Sequence, residues 1–408
     1  MPEIRLASPH QTADEGNFAM TTRRTIAATA LGAAALLLTA AGCSSDKKDN
    51  AGAGAVSSAA GDPHTAVVTI TSDKCVADRD SYDSGAITFK VSNKDATGIT
   101  EFELLDGERI IGEKENLPPG FSGSFSLNVN PGDYQMYCPG ATTPRVPLKV
   151  TGTANTTAAT DTGALLTTGT KDYGTYVDNQ IGFLLAASNQ LNAALKGTDL
   201  TAAQVAYAKA RPYYERIEPV AESFQDLDPA IDNRADDVPV TKLTGFHRIE
   251  YGLFTQKSLT GLAVYGDGLV QNVQKLQTLA KGLTYQPAEL ANGAVGLLDE
   301  VSKSKVTGEE ERYSHIDLLD FQANVEGSEQ AFANLQPGLE KIDPALTNTI
   351  TSGFSSLDKL LDKYRDKSQP SGFVLYGTLT KADVTALAQA VQAVAEPLSR
   401  VASKVVNA

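Results

Sequence analysis

The sequence contains no tryptophan and only three methionines, three cysteines and four histidines among 408 residues. The missing tryptophan removes the best aromatic platform for stacking a sugar ring. Three cysteines and four histidines are too few for a zinc-finger array or a disulfide-stapled miniature fold, so any metal chemistry has to lean on carboxylates. Basic residues are also short: Lys plus Arg number 35 against 49 Asp plus Glu, a formal net charge of −14 that repels nucleic acid and favours cationic partners. With 41% hydrophobic and 21% charged residues the composition is that of an ordinary globular chain, which excludes wholesale disorder and a polytopic membrane protein. The length suits two or three domains.

The first 43 residues read as an address. Arg23-Arg24 precede an apolar run from Ile26 to Leu38, too short to span a bilayer comfortably, and Ala40-Ala41-Gly42 lead to Cys43. That is the order of a bacterial lipoprotein signal, whose cleavage leaves Cys43 as a lipid-bearing first residue. Export by the twin-arginine route is compatible with Thr-Arg-Arg-Thr-Ile, and Met20, directly before Thr-Thr-Arg-Arg, is a second candidate start. Residues 44–64, rich in Ser, Ala, Gly and Asp, predict a disordered tether.

From 65 to 151 the pattern has period two. Ile87/Phe89/Val91, Phe125/Leu127/Val129 and Val146/Leu148/Val150 alternate with polar residues, and Pro118-Pro119-Gly120 and Pro131-Gly132-Asp133 mark turns. This predicts a small antiparallel β-sandwich of seven or eight strands. A Thr-, Gly- and Ala-rich linker is expected over 152–170, and from 171 to 408 the period becomes helical. Tyr173, Val177, Ile181, Leu184, Leu191 and Leu195 share one face, and Val384, Leu387, Val391, Val394, Leu398, Val401 and Val405 keep a repeat that starts at a Thr380/Asp383 capping box. The fold class is therefore β plus α, with a helical region long enough for two packed bundles.

Two constellations can carry chemistry. In the sandwich, Cys75 and Cys138 are open to pairing as a disulfide or as thiolate ligands, with Glu101 or Glu103 and Glu113 or Glu115 as helpers for copper. A blue-copper centre is excluded, because it needs two histidines and only His64 is near. In the helical region, His247 and Glu250 sit at i and i+3 on one face, Glu215 and Glu218 repeat the device with Glu222 continuing the stripe, and His315, Asp317, Asp320 and Asn324 space polar groups along a third helix. Pro219 is expected to kink the helix beside the glutamates. Glu309, Glu310 and Glu311 read as a solvent-facing run. Carboxylate and phenolate oxygens suit hard Fe³⁺.

Gly-Phe-His247-Arg-Ile-Glu250-Tyr-Gly, Ala-Arg-Pro-Tyr-Tyr-Glu215-Arg-Ile-Glu218-Pro and Tyr-Ser-His315-Ile-Asp317-Leu-Leu-Asp320 resemble the imelysin-like peptidase family. With a cupredoxin-like sandwich in front, residues 65 to 408 resemble the extracytoplasmic iron-binding components of bacterial iron uptake systems. The resemblance implies a protein that binds Fe³⁺ or Fe²⁺ outside the cytoplasmic membrane and works with an iron permease and a haem peroxidase, with enzymatic activity left open; the lipid-bearing Cys43 is a departure from the family's soluble form. It further implies that His247, Glu250, Glu215, Glu218 and Asp232 are iron ligands, with Asp320 beside them, and that Cys75, Glu101, Glu115 and Cys138 form a second site for copper or iron. Two other functions stay open: a metallopeptidase, although Tyr251 stands where a reversed zinc motif needs its second histidine, and a polysaccharide-binding lipoprotein, which the charge of −14 opposes for acidic sugars.

Overall fold

The computed structural model describes residues 62, 64–153, 160–234, 238–303 and 305–408. The signal, Cys43 and nearly all of the expected tether lie outside the described residues.

Among the described residues, nine strands form two sheets. The first contains β1 (Thr65–Ile70), β2 (Cys75–Ala77), β4 (Gly85–Asn93) and β7 (Ser122–Val129) in the order β2-β1-β4-β7. The second contains β3 (Ser81–Asp83), β5 (Phe102–Asp106), β6 (Arg109–Lys114), β8 (Gly132–Tyr137) and β9 (Arg145–Thr151) in the order β3-β9-β8-β5-β6. The period-two residues face inward as their spacing requires: Ile87 lies opposite Leu127, Phe89 opposite Phe125, and the last two rings stack with centroids 5.0 Å apart. The expectation of a purely antiparallel sandwich is corrected at two places. β1 runs parallel to β4, and β3 parallel to β9, because the chain visits the opposite sheet at β3 before returning beside β1. Cys75 opens β2 and Cys138 follows β8, so the Cys75–Cys138 disulfide ties one sheet to the other.

Eleven α-helices follow among the described residues: α1 (Asp161–Leu195), α2 (Leu200–Glu215), α3 (Glu218–Ala221), α4 (Asp228–Asp232), α5 (Gly245–Glu250), α6 (Ala263–Ala280), α7 (Pro287–Lys303), α8 (Asp317–Ile342), α9 (Pro344–Leu361), α10 (Lys381–Leu398) and α11 (Val401–Val405). Helices α1, α2, α6 and α8 pack as one group and α7, α8, α9 and α10 as another, so α8 belongs to both and a single apolar core runs through them. Helix α1 begins before its apolar stripe does. Its first turns occupy part of the stretch 152–170 expected as a linker and bury Gly163, Leu166, Gly169 and Thr170; at Gly169 a side chain would collide with the carbonyl of Asn334, so glycine is what lets α1 cross α8 closely. The Thr380/Asp383 capping box forms as read, but the seven-residue repeat is interrupted at Ser399-Arg400, which separates α10 from α11. No helix among the described residues is long and apolar enough to cross a membrane.

The sandwich docks on the helices through its edge strand. Ile110 N–H in β6 donates to the carbonyl of Ser223 at 3.0 Å, and Arg109 pairs as a short bridge with Phe224. Arg109 also pairs with Glu289, Lys114 with Asp299 at 3.1 Å, and Asn292 donates to the Ser126 carbonyl at 2.8 Å.

Candidate metal centre

The expectation that Pro219 kinks a continuous helix is corrected. Helix α2 stops at Glu215, and a new helix, α3, opens at Glu218 with Pro219 in its first turn, where the missing N–H costs nothing because no carbonyl awaits it. The break turns Glu215 and Glu218 inward, and both are buried.

His247 is brought in by a glycine. Gly245 has φ of +56° and approaches the backbone of Ile231 so closely that any Cβ would clash with that carbonyl. The start of α5 therefore lies against the end of α4, and His247 comes to face Asp232. Immediately after Glu250 the backbone widens into one π-helical turn, Tyr251–Thr255, a local irregularity common at functional sites.

The imidazole is 1% exposed. Its Nδ1 lies 3.1 Å from Oε2 of Glu250, whose Oε1 accepts the backbone N–H groups of Tyr313 and Ser314 at 2.8 Å each. Its Nε2 lies 3.4 Å from Asp232 Oδ1 and 3.6 Å from Glu310 Oε1, and has no hydrogen-bond partner. Asp232, His247 and Glu310 thus each offer one ligand atom within 4.8 Å of the others, as do His247, Glu250 and Glu311.

Beside this group sits Arg211, fully buried, its guanidinium shared among Glu215, Asp232, Glu310, Glu311 and Asp320. Lys305, also buried, donates to Glu215 at 3.1 Å and to both oxygens of Glu218 at 2.6 Å. Asn324 donates to the same two carboxylates at 2.9 and 2.8 Å. Arg234 bridges Glu300 at 2.9 Å and Glu310 at 3.2 Å.

The protonation equilibria follow from this crowding. Burial raises Asp232 to about 7 despite the nearby charges of Arg211 and His247. Burial alone would lower His247, but the carboxylates of Asp232, Glu250 and Glu310 lift it to about 10. Glu310 is buried as well, yet Lys305, His247 and Arg234 hold it well below the ordinary range. Glu218 and Glu311 move the other way, by burial and by the neighbouring charge of Glu215 for the first and of Glu250 for the second.

Outward from Asp232 and Glu310 a cavity of about 410 Å³ opens between the two parts of the chain. Glu101, Glu103, Glu113 and Glu115 of the sandwich form one wall, and Glu218, Glu222 and Glu300 belong to the other. Burial is the first cause that raises Glu103 and Glu115 to about 8.

The structure therefore brings together His247, Glu250 and Asp232, with Glu215 and Glu218 one layer away on Lys305 and Asp320 on Arg211. The reading of Glu309, Glu310 and Glu311 as a solvated run is corrected for two of the three: Glu310 and Glu311 are 2% and 0% exposed and belong to the centre. They sit in the irregular segment before α8, where no periodicity marks which side of a charge run is buried. His315 is exposed at φ of +58°, ahead of α8 rather than within it, and is not part of the group. In the sandwich, Cys75 and Cys138 are bonded to each other inside the apolar core, whereas Glu101 and Glu115 line the interdomain cavity. The disulfide form leaves no thiolate to ligate, so the mixed Cys75, Glu101, Glu115, Cys138 set is not assembled in this state. No periodicity in the sequence marks Arg211 or Lys305 as a partner of the glutamates; the place of Arg211 at i−4 from Glu215 is the one available signal.

A deeply buried imidazole nitrogen set between two carboxylates, at 3.4 and 3.6 Å, is a place where a metal cation can replace the proton they share. One nitrogen and several hard oxygens suit iron better than the thiol-loving metals.

Fold and site together define a two-part protein, a β-sandwich docked on a helical bundle with a buried carboxylate centre. The chain belongs to the imelysin family, peptidase family M75, whose sequence pattern matches residues 169–401. It is 40% identical over 339 residues to the iron uptake system component EfeO of Escherichia coli O157:H7, covering 82% of this chain and 89% of that protein. Its identity to the EfeO proteins of Escherichia coli K12 and Shigella flexneri is 39% over the same length, with the same shares covered.

Proposed function

We propose that this chain is the extracytoplasmic iron-binding component of an uptake system of the EfeUOB type, anchored through lipid on Cys43 to the outer face of the cytoplasmic membrane. It takes iron at His247, Asp232 and Glu310, with Glu250 orienting the imidazole and Glu311 as an alternative oxygen, and passes it to an EfeU-type permease in concert with an EfeB-type haem peroxidase. The observation that carries the reading is the buried Nε2 of His247, set between Asp232 and Glu310 at 3.4 and 3.6 Å, where an iron ion would take the place of its proton. The names of the relatives support the choice of iron as cargo, and the oxygen-rich donor set favours Fe³⁺.

The test is equilibrium binding of Fe³⁺, Fe²⁺, Cu²⁺ and Zn²⁺, in competition, to the full chain and to its His247→Ala and Asp232→Asn variants. Iron is expected to win, and each variant to lose it while keeping its helical content. Unchanged iron affinity in both variants would remove the centre from the function.

A further inference from the structure

The pair Glu215–Glu218 is held by a lysine. Lys305 Nζ lies 3.1 Å from Glu215, 2.6 Å from both oxygens of Glu218, 3.9 Å from Glu310 and 4.0 Å from Glu300. Glu215, Glu218 and Asp232 are themselves a group whose oxygens lie within 4.8 Å of one another. The ammonium therefore sits against one group of candidate ligands and within reach of Glu310, which belongs to the His247 group.

We propose that Lys305 is a specificity-determining residue, a resident monovalent cation that an incoming metal ion must outcompete for these carboxylates. This rests on the metal-binding reading above and extends it to selection by charge. Attraction to a fixed set of carboxylates grows with the charge of the ion, so a trivalent ion gains most over the ammonium and a divalent ion much less. The chemistry of lysine fits the role. Its charge is compact and rides on a flexible stem that can withdraw, whereas Arg211 is fixed by five carboxylates and by the face of Phe246, 5.0 Å from its guanidinium carbon. Glu310 links the two groups, because it is 3.6 Å from His247 and 3.9 Å from Lys305. A metal ion that draws Glu310 toward His247 takes a counter-charge away from the lysine. Discrimination is thus achieved by what the wrong ion fails to displace.

The experiment compares Ga³⁺, a redox-inert trivalent probe presented with competing citrate, against Zn²⁺ and Mn²⁺. The proteins are the full-length parent and its Lys305→Met and Lys305→Arg variants. Lys305→Met is expected to strengthen Zn²⁺ and Mn²⁺ binding by about tenfold or more while Ga³⁺ changes less, so the trivalent-to-divalent ratio falls; Lys305→Arg keeps the parent ratio. An unchanged ratio in Lys305→Met, or an equal loss for all three ions, makes the lysine a structural counter-ion and overturns the proposal. Should Lys305→Met fail to fold, Lys305→Met with Glu218→Gln removes the charge together with a partner, and its ratio is read against Glu218→Gln alone. If the parent binds none of the three ions, the functional reading itself fails. If His247→Ala abolishes binding but the ratio ignores Lys305, only this inference does.

Discussion

Nε2 of His247 lies 3.4 Å from Oδ1 of Asp232, two side chains 15 positions apart that meet because Gly245 lets α5 ride on the backbone of Ile231. The contact depends on the absence of a Cβ. Gly245→Ala is therefore expected to weaken iron binding as much as a direct loss of Asp232, with the remainder of the helical region still folded, as circular dichroism and metal titration together will show.

Glu250 holds the imidazole through Nδ1 and also accepts two backbone N–H groups from the segment that carries Glu311. Glu250→Gln should cost about 10–100-fold in iron affinity, the range for groups that orient a ligand. Glu310→Gln should cost at least as much, and Glu309→Gln should cost little. Isothermal titration of the three variants checks the ranking.

Arg211 is the hub for five buried carboxylates. Removing one partner of a buried ionic network typically costs about 3–5 kcal/mol, because the charges left behind have nothing to face. Arg211→Leu is expected to destabilise by at least that amount in urea denaturation, and added iron should recover part of the loss through its preference for the folded state.

The metal-free protein should lose stability as pH rises. Glu103 and Glu115 titrate near 8 in the folded chain against an ordinary 4.5, so the folded state holds more protons between those values. Their contribution is complete below about pH 4.5 and lost by about pH 8, and His247 adds a decline that runs from about pH 6.5 to about pH 10. Melting temperatures across this range should fall without metal and fall less with it.

Cys75 and Cys138 close a loop across 63 positions between the sheets. Reduction should destabilise the chain by about 2–4 kcal/mol, and unreduced protein should show a mass lower by two hydrogens. Quantitatively free thiols in protein isolated without reductant would return the pair to the metal-ligand reading.

Much of the architecture is legible from periodicity alone, since Phe89, Phe125, Val177 and Val391 are buried where periods of two and of three to four place them. His247 and Glu250 are legible for the same reason, because helical spacing fixes their common face. What the pattern misses is of a different physical kind. The start of α1 sets one buried leucine, Leu166, among glycines and threonines, too little to mark a helical stripe, and the parallel strand pairs arise from a path between sheets that local alternation does not encode. Glu310, Glu311 and Lys305 look like surface charges because solvation is the usual fate of such residues; they are buried here because they neutralise one another across segments about 90 to 100 positions apart.

The bond from Ile110 to Ser223 has a consequence for how the two parts can exist. β6 is the last strand of its sheet, and a bare edge of that kind is a template on which another chain can add. In the whole molecule the helical part covers it. The sandwich made alone would present that edge, with Ile110 and Ile111 on it, and would tend to self-associate. The helical domain is thus the chaperone of its neighbour as well as its floor, and separating the two exposes an adhesive edge that the whole molecule keeps covered.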